Sequence, residues 1–219
     1  MLFIMDMKKL DVLFENSRFL VVNKDSGISV HNDSHSVVHQ LGVDKVFPVH
    51  RLDKETSGLL VLAKTKSDAA KIQSLFSEDK IKKQYAAIVF GSHKQTKQSG
   101  HWSQSLSARA GGVKNPKGPK PLVDCQSYYS IETTNDYFTL LHLSPLTGRT
   151  HQLRKHCLLN LAAIVGDSRY GKSKSNDRIK KIYSVDRLFL HAQSIEFSFE
   201  DEDFKFTTNY PLEFSTLIS

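Results

Sequence analysis

Apolar residues along this chain fall into short runs separated by polar breaks, and the period within each run predicts its element. Residues 10–14 and 19–23 are β-rich runs flanking Glu15-Asn16-Ser17-Arg18, so they read as a hairpin. Residues 24–44 are polar, with His31, His35 and His39 spaced by four. A short apolar segment, 46–49, leads to Leu59-Leu60-Val61-Leu62-Ala63, which reads as a fully buried strand. Ser67 is a good N-cap residue. Behind it Ala69, Ile72 and Phe76 recur at helical spacing, and that helix ends near Asp79. Residues 84–90 form another strand, with Tyr85, Ala87 and Val89 on one face.

Between residues 91 and 121 apolar residues thin out, and Gly111, Gly112, Pro116, Gly118, Pro119 and Pro121 punctuate a basic stretch. It reads as a long, partly mobile excursion from the core. Residues 137–143 resume strand character and stop at Pro145. Thr150 then caps a helix in which Leu153, Cys157 and Leu161 line one side. A second basic, polar segment covers 172–181, and residues 187–190, 194–199 and 204–208 close the chain as short strands. Strands outnumber helices and arrive in neighbouring pairs. That pattern predicts an α+β fold, a mixed but largely antiparallel sheet with a few packed helices, in one domain spanning 1–219.

Composition narrows the class. The chain has 219 residues, 39% of them hydrophobic, with thirteen Phe and seven Tyr, so it can build a core and is not disordered. A net charge of +7 calls for an acidic partner, and nucleic acid is the commonest, because phosphate neutralisation releases counterions. Charge alone leaves a merely basic soluble protein equally open. Cys125 and Cys157 form no CxxC or disulfide framework, which points to a reducing, cytoplasmic compartment. The leader Met1-Leu2-Phe3-Ile4-Met5-Asp6 is too short for a signal peptide, and no run approaches the roughly 20 apolar residues of a membrane span. A monomer is the default expectation. His31, His35 and His39 would share a helical face and could bind zinc, but Asn32, Asp33 and Ser34 favour a turn and no fourth ligand is evident, so no metal is expected. The phosphate-binding loop GxxxxGK[ST] and the dinucleotide fingerprint GxGxxG are both absent, and Ser57 lacks a GxSxG frame.

Three segments concentrate chemistry. His50-Arg51-Leu52-Asp53-Lys54-Glu55-Thr56-Ser57-Gly58 crowds charges and hydroxyls into a connection between strands, where a simple turn would suffice. Its plainer explanation is a charged turn that caps backbone groups. Lys82-Lys83-Gln84-Tyr85 sets cations beside an aromatic at a strand entrance, suited to phosphates and a stacked base. A strand Tyr is more often core or rim. Thr147-Gly148-Arg149-Thr150-His151-Gln152-Leu153-Arg154 places His151 and Arg154 three apart, on one helical face suited to a phosphate or a buried carboxylate. A basic surface helix would look the same.

Together these segments resemble the RluA family of RNA pseudouridine synthases. The first matches that family's catalytic motif HRLDxxTSG, the second the segment carrying its active-site tyrosine, and the third its arginine motif. Val22-Asn23-Lys24 with Gly27, Gly166-Asp167 and Tyr170-Gly171 also fit, all in family order from about Val21 to His191. Asp25 stands where relatives often carry Pro, the leader before Leu10 is too short for an S4-type RNA-binding module, and the 91–121 excursion matches no family pattern.

The resemblance implies isomerisation of specific uridines in ribosomal or transfer RNA, which balances without redox cofactor, metal or ATP. It implies Asp53 as catalytic carboxylate, Arg154 as its ion-pair partner and Tyr85 as the ring that stacks on the target base and assists proton removal. A guanidinium suits the role because it opposes the pKa rise that burial imposes on an acid. Arg51, Lys82, Lys83, Arg149 and Lys155 are the expected phosphate contacts for RNA with an extruded uridine, with Lys114, Lys117 and Lys120 of the excursion behind them. The competing reading is a non-catalytic RNA-binding or chaperone protein on the same scaffold.

Overall fold

The structure is a computed structural model and describes residues 10–31, 33–42 and 45–219. The leader Met1–Asp6 and Asn32 of the proposed turn lie outside the described residues. A hairpin opens the chain: β1 (Asp11–Glu15) pairs antiparallel with β2 (Phe19–Lys24), and the Asn16 side chain closes the turn by accepting the N–H groups of Arg18 and Phe19. Within the polar stretch that follows lies α1 (Val37–Leu41), capped by Ser36. His35 precedes this helix and His39 lies in it, so His31, His35 and His39 do not share a helical face. Next come β3 (Phe47–Pro48), β4 (Ser57–Ala63), α2 (Lys66–Ser77) and β5 (Lys82–Phe90). The N-cap of α2 is Thr65 and not Ser67. Thr65 Oγ1 accepts the Asp68 N–H and donates to the Asp68 carboxylate, a closed exchange that Ser67, two positions later, cannot make.

The excursion is more ordered than its composition suggests. It holds β6 (Ser99–Trp102) and β7 (Leu106–Ser107), and β7 pairs with β8 (Leu122–Val123) as a separate small ribbon. A strand that the pattern did not reveal, β9 (Ser127–Thr134), joins β10 (Phe138–Pro145). Helices α3 (Gln152–Asn160) and α4 (Ser173–Tyr183) follow, the latter occupying the second basic segment. The two short strands expected at 187–190 and 194–199 are one bulged strand, β11 (Leu190–Phe199), paired with β12 (Glu202–Thr207), before α5 (Leu212–Ile218).

Ten strands make one sheet in the order β1-β2-β4-β11-β5-β10-β9-β6, with β3 beside β4 and β12 beside the second half of β11. Every pair is antiparallel except β4 with β11, so the sheet is mixed and largely antiparallel as the pattern predicts. Apolar layers cover both faces. Phe19, Val21, Leu59 and Val61 pack with Phe197 on one side, while Leu20, Val22, Leu60 and Leu62 pack with Val37 and Val46 on the other. That two-sided burial explains why β2 and β4 read as unbroken apolar runs. A third layer joins β5 and β10 to Leu153 and Cys157 of α3 and Phe214 of α5. At the parallel junction Gly58 has φ 108°, and a Cβ there would sit 2.3 Å from the Ala192 carbonyl oxygen. Only glycine lets β4 approach β11 so closely.

Candidate active site

Asp53 sits on the loop between β3 and β4, and several groups fix that loop. Thr56 N–H closes a turn onto the Asp53 carbonyl at 3.0 Å. Before it, His50 Nε2 accepts the Val61 N–H at 3.0 Å and the ring stacks on Phe76. Burial, with the nearby Lys83 charge, pushes the His50 pKa down to about 3, so His50 is a neutral anchor for the loop. After Asp53, the buried Lys24 ammonium donates to the carbonyls of Asp25, Ile28 and Lys54, while Ser26 Oγ holds the Glu55 carbonyl. Burial lowers the Lys24 pKa to about 8, opposed by the charges of Asp53 and Glu55. Ser57 lies in the sheet, bonded to His191 Nδ1 and to Arg187. The catalytic-looking motif thus divides its labour: one carboxylate faces a cavity, and the residues around it hold the loop in place.

Arg154 is the hub. Its guanidinium makes two parallel bonds to Asp167, Nε to Oδ2 and Nη2 to Oδ1, both 2.8 Å, and turns Nη1 to Asp53 Oδ2 at 3.1 Å. Glu55 lies 3.6 Å from the same nitrogen. Burial disfavours the Arg154 charge, but bonding to Asp167 and Asp53 outweighs it and holds the guanidinium above its ordinary range. Its side chain is only 2% exposed, whereas that of Asp53 is 23% exposed. The acid can therefore meet a solute while its counter-charge stays dry. Asp167 was missed as a site residue by sequence reasoning. The signal was present in the Gly166-Asp167 pair, because Gly166, at φ 76°, takes a tight turn against the Arg187 carbonyl and delivers Asp167.

The cavity beside Asp53 has a volume of about 1140 Å³ and is lined by Asp53, Lys83, Tyr85, His151 and Arg154, with the exposed Arg51 and Arg149 also on its wall. Burial, reinforced by Asp53, raises the Tyr85 phenol above its ordinary range, so it remains a neutral O–H. Lys83 lies over the Phe76 ring at 5.5 Å, and burial lowers its pKa.

Two expected RNA contacts change character. Lys155 is fully buried, its ammonium donating to the Ser107 and Arg109 carbonyls at 2.9 Å each, so it ties down the excursion and cannot reach a phosphate. Lys82 follows strand alternation to the face opposite Lys83, where it pairs with Glu196 at 2.8 Å away from the cavity. Thr150 does not cap α3. His151 occupies the cap position in the left-handed region, and the Gln152 side chain takes over the local bonding. It accepts from Arg149 N–H and Thr147 Oγ1, and donates to Gln126 O and Ser127 Oγ. Among the described residues no cluster of His, Cys, Asp and Glu is placed to hold a metal, and no helix is long and apolar enough to cross a membrane.

Comparison with known proteins places this geometry in context. A family model described as RNA pseudouridylate synthase matches residues 18–159. Ribosomal large subunit pseudouridine synthase C from Buchnera aphidicola is 35% identical over 85% of this chain, and the chain spans only 62% of that relative's length. A Haemophilus influenzae protein described as an uncharacterized RNA pseudouridine synthase is 36% identical, over 87% of this chain and 83% of its own. A tRNA pseudouridine synthase C from Vibrio parahaemolyticus is 31% identical, over 86% and 85%. Among solved structures, human RNA pseudouridylate synthase domain containing 1 superposes with a TM-score of 0.77 at 26% identity, covering 94% of this chain and 85% of that one.

Proposed function

Because the chain belongs to the family of RNA pseudouridylate synthases, we propose that it isomerises specific uridines to pseudouridine in ribosomal or transfer RNA, with Asp53 as the catalytic carboxylate. The observation that carries this reading is the half-open Asp53 carboxylate, paired with a buried guanidinium on the wall of a cavity that also presents Tyr85. The names of the relatives, which modify large-subunit ribosomal RNA and transfer RNA, support the substrate class.

In the reaction the C1′–N1 bond of uridine breaks, the base rotates, and C5 bonds to C1′. The proton lost from C5 is balanced by one gained at N1, so no oxidant or co-substrate is consumed. Whether the carboxylate attacks the sugar or takes a sugar proton, it must be ionised in a site from which water is displaced. Arg154 meets that demand with a charge already desolvated and oriented by Asp167, so little reorganisation is required as the reaction proceeds. Tyr85 offers a ring face to the extruded base and a neutral hydroxyl to the rearranged one. Arg51, Lys83 and Arg149 line the approach and offset the few kcal/mol that unstacking the target costs. Exposed Lys114, Lys117 and Lys120 extend the positive surface along the excursion.

The test uses RNA tritiated at carbon 5 of uridine, because product formation releases that tritium. Wild type is expected to release it, and Asp53→Asn to release none while keeping RNA affinity within about threefold. Release by Asp53→Asn at the wild-type rate removes Asp53 from its role. Salt-sensitive RNA binding by wild type without release from any cellular RNA establishes the non-catalytic alternative.

A further inference from the structure

His151 begins α3 with φ 55°, a region that residues with a Cβ avoid, and its side chain makes no capping bond. The imidazole instead lies between two groups: Nδ1 is 3.1 Å from the Tyr170 hydroxyl, and Nε2 is 3.8 Å from Asp53 Oδ1.

Tyr170 decides which ring nitrogen carries the proton. Its hydroxyl accepts the Gly111 N–H at 3.0 Å, and the side chain is almost fully buried. If Nδ1 also donated to that oxygen, the hydroxyl hydrogen would have no acceptor among the contacts described. The hydroxyl therefore donates to Nδ1, and the imidazole proton sits on Nε2, facing Asp53. The other carboxylate oxygen, Oδ2, is already taken by Arg154, whose guanidinium lies over the Tyr170 ring at 5.4 Å. One buried tyrosine thus orients a donor toward each oxygen of the acid. At 3.8 Å the His151 contact is longer than a hydrogen bond, and a movement of about 1 Å closes it. Such contacts commonly tighten when substrate fills a site.

Resting on the function proposed above, we propose that His151 is a positioning residue for Asp53: it donates from Nε2 to Oδ1 in the RNA-bound enzyme, with its tautomer set by Tyr170. The acceptor role of Tyr170 toward Gly111 carries the 91–121 excursion into the same chain of bonds, as does Lys155 through the neighbouring carbonyls. The 91–121 excursion and the catalytic acid would then be coupled through two side chains. The charged and titratable groups that face His151 are Asp53, Arg154, Arg169, Asp167 and Tyr170. Burial lowers the His151 pKa first, with Arg154 and Arg169 adding to it and the two acids opposing, so the ring is neutral near pH 7.

The experiment measures kcat, KM and the pH profile of tritium release for the full chain, wild type against His151→Phe, His151→Gln and Tyr170→Phe. His151→Phe is expected to lower kcat about 10- to 100-fold, the range typical of groups that orient a reactive ligand, with KM within about twofold. The acid limb of kcat is expected to move to higher pH, because a donor favouring the charged acid is gone. His151→Gln, which keeps an amide N–H near the Nε2 position, recovers part of the loss, and Tyr170→Phe falls between. A His151→Phe enzyme with wild-type kcat and acid limb overturns the proposal. So does a fall in kcat with the acid limb unmoved and no recovery by Gln, which marks a purely structural role, or a change confined to KM, which marks an RNA contact. Should wild type itself release no tritium, the function reading falls first, before any variant is compared.

Discussion

Strand β4 and helix α3 are both buried, but by opposite means. From Leu59 to Ala63 every β4 side chain is apolar and enclosed by apolar neighbours on two faces. On α3 four polar residues, Gln152, Arg154, Lys155 and His156, are as thoroughly buried as Leu153 and Cys157 beside them. Apolar burial is indifferent to which carbon atoms enclose it, so β4 needs only a sheet and two covering layers. Each polar group on α3 needs a partner of the right sign in the right place. Those partners come from distant parts of the chain, Asp53 from 101 residues away and Ser107 from 48. The helix therefore fastens the Asp53 loop, the excursion and the Asp167 turn to one another, and the strand serves as the support on which they sit.

The largest effect should come from breaking the polar cluster at its centre. Asp167→Asn leaves the Arg154 charge buried with its bidentate partner gone, and is expected to cost about 3–5 kcal/mol, the range for disrupting a buried pair. Urea unfolding monitored by fluorescence measures it, and a loss below about 1 kcal/mol would mean that Asp53, water and the remaining amide oxygen satisfy the guanidinium. Activity should fall further than stability explains, since Arg154 would lose its orientation toward Asp53. Leu60→Ala is the matching change in the apolar layer, at a side chain with no exposure. It is expected to cost about 2–4 kcal/mol through lost transfer energy and the cavity left behind. Turnover in the folded fraction should stay within about twofold of wild type. If Leu60→Ala instead reduces turnover as strongly as Asp167→Asn, the division between support and fastening is wrong.

The same contrast explains which features the sequence discloses. The hairpin, β4, β5 and the largely antiparallel sheet were legible because apolar periodicity reports them directly. Strand β9, Ser127-Tyr128-Tyr129-Ser130-Ile131-Glu132-Thr133-Thr134, escaped because its exposed face carries Tyr128 and hydroxyl residues without clean alternation. The resemblance picked out Asp53, Tyr85 and Arg154 from their motifs, and all three meet at one cavity. Asp167, Tyr170 and Lys24 were seen as matching positions but given no task, because a buried charge is indistinguishable from a surface charge until its partner is located. Lys155 was misjudged for that reason: a basic residue on a basic helix looks solvated. Lys82 stands outside the cavity for a simpler reason, since strand alternation already separates it from Lys83.

The smallest expected effect tests that misjudged lysine and probes the fastening where it grips the excursion. Lys155→Met keeps the length and packing of the stem, relieves the cost of burying an ammonium, and leaves the Ser107 and Arg109 carbonyls without their donor. These terms oppose one another, so the net loss should be about 1 kcal/mol, well below that of Asp167→Asn. The effect should be local. Amide exchange should quicken in residues 105–118, where the ammonium held the chain, and stay at the wild-type rate in β4. RNA affinity should change less than twofold and keep its salt slope, because a buried lysine neutralises no phosphate; Arg149→Ala, on the exposed cavity wall, should weaken binding and reduce that slope by about one. A reduced slope in Lys155→Met would return the residue to the RNA interface and require the helix to open when RNA binds. Unchanged exchange in 105–118 would mean that the bonds of Tyr170 and Arg169 to Gly111, with the Gln104–Asn160 pair, hold the excursion without Lys155, leaving the polar face of α3 with one fastening fewer than its geometry indicates.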